Sequence, residues 1–448
     1  MNKPAVVSKQ FLLPFVLVTS LFFFWGIANN MTDTLLAAFK RIMSMSDTQT
    51  SLIQFSFYGA YAVLALPAAL FIRRYSFKSG IVLGLFMYAL GAILFLPASK
   101  AASYTFYLGA IFILAGGCSI LETTANPYIL SMGAPETATR RLNVAQAFNP
   151  LGSITGILLS TFFIQAELNS ADATARAAMS DAQLEAIQAH ELGAVTGTYM
   201  TLGFVLLAVL VIMLLSHMPK TDKMLGAASS SSLSSQASQS SSSSSSSQAS
   251  KAGKSTFRRL ASNKRYWMGV VAQFFYVGAQ IGVWSFTIRL AMSELGIREQ
   301  AGSVIYLISI IGFSASRFIF TWLMKYFRPS RLLVVAAIAD IVLSLLVVFT
   351  QGMGWLPVCA LIAISLFMSL MFPTIYGIAL DGIGDDAKIG ASGLIMAILG
   401  GALLTPLQAV ISDATTINTS YLVPTFCFLV VLLYGLYVER NRVAPTRE

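Results

Sequence analysis

Residues 9–33 read KQFLLPFVLVTSLFFFWGIANNMTD, and residues 105–127 read TFYLGAIFILAGGCSILETTANP. Each is a helix-length apolar run that carries one acid, Asp33 in the first and Glu122 in the second. An ionised carboxylate at mid-bilayer costs about 3 kcal/mol on insertion scales, so such residues face a wet cavity, a partner or a substrate. A transport or proton-relay site is the default reading of both.

The rest of the chain repeats this texture. Of 448 residues, 56% are hydrophobic and 11% charged, and the mean hydropathy is +0.73, too apolar for the surface of a soluble protein of this size. Apolar runs of about 20 residues fall at 11–38, 52–72, 80–98, 105–132, 142–164, 195–216, 266–290, 303–326, 331–350, 356–380, 388–411 and 420–438. The pattern predicts an all-α membrane protein of twelve spans. A β-barrel would alternate every second residue and would not reach this hydropathy. The first run is too long for a signal-peptide core and is expected to remain as a helix.

With both termini in the cytoplasm, most of the 29 basic residues fall on that side, among them Arg73, Arg74, Lys78, Arg140, Arg141, Lys325 and Arg328. The longest opposite loop, 165–194, is acidic. This is the positive-inside pattern, so the net charge of +10 orients the chain and attracts anionic lipid; no nucleic-acid module is recognisable. Leu225 to Lys251 is nearly pure Ser with some Ala and Gln, a linker composition. It implies a six-helix half over 1–219, a Ser-rich basic linker over 220–265 and a second six-helix half over 266–448. The halves echo one another: ALFIRRYSFKSG answers TWLMKYFRPSRL, and ETTANPYI answers LMFPTIYG.

Trp25, Asn29 and Asp33 recur every four residues and Asn30 sits three before Asp33, so one helical face presents a ring, amides and an acid. Glu122 and Asn126 are four apart, while Asn143, Gln146 and Asn149 follow at threes. In the second half, Gln273, Tyr276, Gln280 and Trp284 form another polar–aromatic stripe. Directed donors and acceptors beside flat apolar surfaces suit a sugar; buried amides can also simply join helices. Arg317 lies inside the eighth span as a candidate gating or pairing residue, with Asp340 of the ninth span as its structural partner. Arg289, near the end of the seventh, is expected to snorkel. His190 and His217 lie in or beside loops, and Cys118, Cys359 and Cys427 show no paired spacing, so no metal site is expected. GIGDD at 382–386 reads as a turn, not a protease motif, and the chain holds no HExxH, nucleophile elbow or Walker motif. It is not expected to be an enzyme.

The runs WGIANNMTDTLLAAFK (25–40), QFSFYGAYAVLALPAALFIRRYSFKSG (54–80), CSILETTANPYI (118–129), RLNVAQAFNPLGSITG (141–156) and QFFYVGAQIGVWS (273–285) strongly resemble the fucose:proton symporter family of the major facilitator superfamily. The resemblance covers nearly everything outside the serine linker and the 165–194 loop. It implies two pseudo-symmetric six-helix halves, a location in a bacterial inner membrane, and symport of a proton with fucose, galactose, glucose or a related sugar. The family's two key acids match Asp33 and Glu122, one tied to proton coupling and the other to sugar binding or coupling, and AQAFNP carries over Gln146 and Asn149 as cavity residues. Close fucose carriers can have Tyr before the tenth-helix proline, where this chain has Phe372. No cofactor is expected beyond the proton, and one chain should hold a complete site and act as a monomer. The rival readings are a sugar uniporter, a sodium-coupled sugar transporter and a membrane sugar sensor that does not transport.

Overall fold

The computed structural model describes residues 5–43, 47–101, 103–169, 175–176, 178–219 and 256–441; within these, the side chains of 29, 32–38, 40–41, 47–51, 54 and 299–300 lie outside the description. The first part runs α1 (Leu12–Ile42), α2 (Asp47–Arg74), α3 (Phe77–Ile93), α4 (Phe95–Lys100), α5 (Tyr104–Leu130), α6 (Ala138–Gln146), α7 (Asn149–Phe163) and α8 (Asp181–Leu215). After the linker come α9 (Thr256–Ser262), α10 (Lys264–Leu295), α11 (Glu299–Leu323), α12 (Pro329–Phe349), α13 (Trp355–Met368), α14 (Met371–Leu380), α15 (Ala387–Met396), α16 (Leu399–Ala414), α17 (Ile417–Ser420) and α18 (Leu422–Arg440).

Among the described residues, twelve stretches are long and apolar enough to cross a membrane. Helices are forced there because hydrocarbon offers no partner to a free backbone N–H or C=O. Phe55, Phe162, Phe204, Val342 and Phe349 stand exposed on the spans, as side chains against lipid tails do.

The ends follow local chemistry. The Ser76 hydroxyl accepts from the Ser79 N–H to cap α3, Asn263 accepts from the Tyr266 N–H to cap α10, and Gly296 closes α10 at a left-handed φ of 61°. Two expected loops are shorter than the composition suggested. Of the stretch 165–194, residues 181–194 belong to α8, because Ser180 and Gln183 form a capping box and Glu191, fully buried, is bound by the Arg176 guanidinium, Nη1 to Oε2 at 2.9 Å. At the far end of the linker, 256–262 is helical, and Arg259 of that helix grips Asp386 with Nε and Nη2 at 2.7 and 2.6 Å.

Arg141 corrects a second expectation. Counted among the basic loop residues, it is fully buried, donating from Nε to the Ile129 carbonyl at 2.7 Å, from Nη1 to the Val6 carbonyl at 2.8 Å, and from Nη2 to the Leu130 carbonyl. It caps the last carbonyls of α5, where the regular i to i+4 donors run out and only a tightened turn, Met132 N–H to the Ile129 carbonyl at 3.2 Å, adds a backbone bond to the first of them.

The described chain groups into two compact units. One comprises Val16–Ala125 and Gln146–Met218; the other comprises Met1–Phe15, Asn126–Ala145 and Pro219–Glu448. In the former, α1 and α7 touch backbone to backbone: a methyl on Gly26 would lie 2.0 Å from the Asn149 carbonyl oxygen, and one on Gly152 would lie 1.8 Å from that of Phe23. In the latter, α10 and α16 repeat the contact, with Gly400 placing a methyl 2.0 Å from the Phe274 carbonyl oxygen. First-with-fifth and seventh-with-eleventh spans are equivalent pairs, so the internal echo of the sequence extends to packing.

Candidate functional site

In the unit holding Val16–Ala125, the acid of α5 sits in an aromatic nest. Glu122 is 9% exposed, and its Oε2 is buried without a hydrogen-bond partner among the described residues. It lies close enough to Tyr61 of α2 and Cys118, one turn earlier on α5, to act on both electrostatically. The indole N–H of Trp25, on α1, donates to Tyr61 Oη at 3.1 Å, and the Trp25 ring stacks on Phe22 with centroids 5.1 Å apart. Three helices thus bring an acid, a phenol and an indole together. Asn30 donates from Nδ2 to the Gly26 carbonyl at 3.3 Å, Asn149 to the Phe22 carbonyl at 3.2 Å, and Gln146 is buried. Asp33 and Asn29 lie on α1 with side chains outside the described residues.

The other unit carries the second polar stripe. Gln273 is fully buried with neither Oε1 nor Nε2 bonded among the described residues. Trp284 packs edge-on against Phe313 with centroids 5.0 Å apart and finds no acceptor for its Nε1 among the described residues, while Gln280 is half-buried one turn before it. Asn126 is buried, and Asn143 donates to Thr374 Oγ1 at 3.3 Å.

Around Tyr276 and Arg317 the tenth span breaks between α13 and α14. Proline at 373 has no N–H for the carbonyl four residues back, that of Ser369. Arg317 supplies the missing donor, Nε to the Ser369 carbonyl at 2.6 Å, with its guanidinium 4.6 Å from the Phe313 ring centroid. Tyr276 Oη donates to the Met368 carbonyl at 2.9 Å and Ser316 Oγ to that of Leu366 at 2.8 Å. The expected pairing of Arg317 with Asp340 is therefore corrected: the guanidinium turns to a backbone acceptor created by the proline, and neither oxygen of the fully buried Asp340 accepts a hydrogen bond among the described residues. Phe372 lies beside the break, its ring centroid 6.4 Å from that of Tyr276. Arg289 is exposed and stacks on Phe286 at 5.3 Å.

A chamber of about 830 Å³ in this second unit is lined by Ser131, Thr139, Arg265, Ser330, Asp381 and Tyr437 among others. It contains none of the residues that the sequence singled out for a site. Tyr61, by contrast, was not singled out, although it lies one helical turn after Phe57 and beside Tyr58 in an aromatic run that could have drawn attention to that face of α2.

Buried polar atoms left without partners are costly, about 1–3 kcal/mol each, and in a native structure they are commonly occupied by water or ligand. In the unit holding Val16–Ala125, Glu122 Oε2 can accept a hydrogen bond or hold a proton; in the other unit, both ends of Gln273 and Trp284 Nε1 offer a two-way amide and a donor to hydroxyl groups.

The family model described as Major Facilitator Superfamily matches residues 16–406. The L-fucose-proton symporter of Haemophilus influenzae is 43% identical over 441 residues, covering 96% of this chain and 97% of that protein. A glucose/galactose transporter of Brucella abortus is 32% identical over 428 residues, covering 95% of this chain and 93% of its own. A crystal structure of FucP, a Major Facilitator Superfamily transporter in the outward conformation, superposes with a TM-score of 0.84 at 33% identity, covering 97% of this chain and 100% of that one.

Proposed function

This chain belongs to the major facilitator superfamily, and from that premise we propose that it imports a neutral monosaccharide, L-fucose or a related hexose such as galactose or glucose, together with protons. The carrier is a multi-pass protein of a cell inner membrane with both termini in the cytoplasm, it works as a monomer, and it needs no cofactor other than the coupling proton. Its moving parts are the halves 1–219 and 266–448, joined by the linker 220–265, which rock about a central site.

The observation that supports proton coupling is Glu122, an acid buried among Trp25, Tyr61 and Cys118 with one oxygen unbonded among the described residues. A proton taken up on Glu122 neutralises it, and the neutral, sugar-loaded carrier then closes with no uncompensated charge in its interior. Asp33 shares the coupling and sugar-binding roles with Glu122. Asn29, Asn30, Asn126, Gln146, Asn149, Gln273 and Gln280 supply hydrogen bonds, and Trp25, Tyr276 and Trp284 supply stacking faces. One proton moving down about 100 mV yields about 2.3 kcal/mol, enough to concentrate a neutral sugar about 50-fold. Relatives named for L-fucose and for glucose and galactose define the substrate panel.

The test is sugar-triggered alkalinisation of the medium around de-energised cells, over fucose, galactose, glucose, arabinose and N-acetylglucosamine. A rise in external pH with one sugar establishes symport and identifies the substrate; labelled uptake with no pH change would replace it by uniport or sodium coupling.

A further inference from the structure

Glu122 has to exist in two states in any proton-coupled cycle, and its surroundings differ in how they treat them. The neutral acid needs little. The carboxylate needs a donor, because an unbonded charge in a buried site is far more costly than an unbonded neutral group.

The titratable groups that the neighbouring elements bring to this region are Tyr61 and Tyr58 on α2, Cys118 on α5 itself and, behind Cys118, Tyr88 on α3. Asp33 on α1 has a side chain outside the described residues. None of the groups described is a cation, so the carboxylate has no charge partner among them. Tyr88 is committed, donating from Oη to the Phe24 carbonyl at 2.8 Å. Tyr61 is different. Its oxygen already accepts from the Trp25 indole at 3.1 Å, which occupies an acceptor site on the oxygen, and its proton faces two neighbours, the Cys118 sulfur, a weak acceptor within hydrogen-bonding reach, and Glu122. Trp25 and Tyr61 are 1% and 2% exposed, so water does not compete for that proton.

Resting on the reading of Glu122 as a coupling acid, we infer that Tyr61 is its positioning residue: held by Trp25, its hydroxyl swings to donate to the Glu122 carboxylate once the proton has left, and so stabilises the empty, deprotonated carrier. Tyr61 keeps its own proton throughout, and the proton released by Glu122 passes to water. A charge-assisted hydrogen bond of this kind makes deprotonation easier, which matters for the return half of the cycle and not for sugar–sugar exchange by the loaded carrier.

The experiment uses the full chain in proteoliposomes, measuring L-fucose exchange and net proton-driven uptake from pH 5 to pH 10 for the parent, Tyr61→Phe, Trp25→Phe and Glu122→Gln. In Tyr61→Phe the pH at which exchange falls to half should move upward by about one unit, the equivalent of one charge-assisted hydrogen bond. Net uptake should fall several-fold while exchange below that pH is retained. Trp25→Phe, which keeps the phenol but frees it to turn, should shift in the same direction by less, and it carries the test if Tyr61→Phe does not reach the membrane. Loss of rate in both variants with an unmoved midpoint would mean a packing role and would overturn the inference. Glu122→Gln separates the premise: whatever exchange it retains, at a sugar concentration raised to offset weaker binding, should show no alkaline fall, and an unaltered pH profile there would remove Glu122 as the coupling acid and Tyr61 with it.

Discussion

Arg317 donates from Nε to the Ser369 carbonyl oxygen at 2.6 Å, and Ser369 is the residue whose helical donor is missing because position 373 is proline. An arginine in a membrane span is here a cap for a broken helix. Hydrogen bonds from charged groups are worth about 1.5–3 kcal/mol, so Arg317→Gln should destabilise the purified protein by about 2 kcal/mol. The same substitution in a Pro373→Ala background, where the backbone can supply its own N–H, should cost clearly less. Thermal unfolding of the four proteins in detergent measures the coupling; equal costs in both backgrounds would mean that Arg317 acts on something other than the break.

The paired glycine contacts predict a second pattern. Gly152→Ala and Gly400→Ala place a methyl 1.8 and 2.0 Å from a carbonyl oxygen, and backbone cannot yield as a flexible side chain would. Each should cost about 3 kcal/mol or more, seen as a lower melting temperature and poor yield. Gly109→Ala and Gly197→Ala, with nothing within 4 Å of the added carbon, should leave melting unchanged or slightly raised.

Gln273 distinguishes a ligand group from helix glue. An amide bonded at neither end among the described residues weakens a buried site, so Gln273→Leu should keep or raise the melting temperature while raising the KM for L-fucose at least about tenfold, the loss of one to two hydrogen bonds. A helix-joining amide would show the reverse, with lower stability and an unchanged KM.

Where sequence and structure agree, the signal was polarity in the wrong place. Glu122, buried on α5, stands out because an acid in an apolar run has no cheap reason to be there, and the twelve spans stand out because hydrocarbon tolerates little else; Asp33 carries the same sequence signal, with its side chain outside the described residues. What escaped was polarity whose partner is backbone. Arg141 reads as one more basic loop residue, yet it is buried under the carbonyls that end α5; Arg317 reads as seeking Asp340, yet it answers a carbonyl that a proline orphaned. Neither acceptor is a residue type, so neither appears in a pattern of residue types. The 165–194 stretch misled in the same way, since its charge suggested solvent while Arg176 and Glu191 are 2% and 0% exposed and bound to each other. Tyr61 escaped because a tyrosine in an aromatic run looks like core, and only its hydrogen bond to Trp25 sets it apart.

Proton coupling through Glu122 is tested most directly by accumulation. Proteoliposomes holding the parent or Glu122→Gln are loaded at alkaline pH and diluted into acidic buffer with labelled L-fucose, and the internal concentration is followed to its plateau. The parent should concentrate the sugar well above the medium and lose it on addition of a protonophore, while Glu122→Gln should reach equality with the medium and no more. A Glu122→Gln carrier that still accumulates sugar several-fold under the same gradient would contradict the assignment.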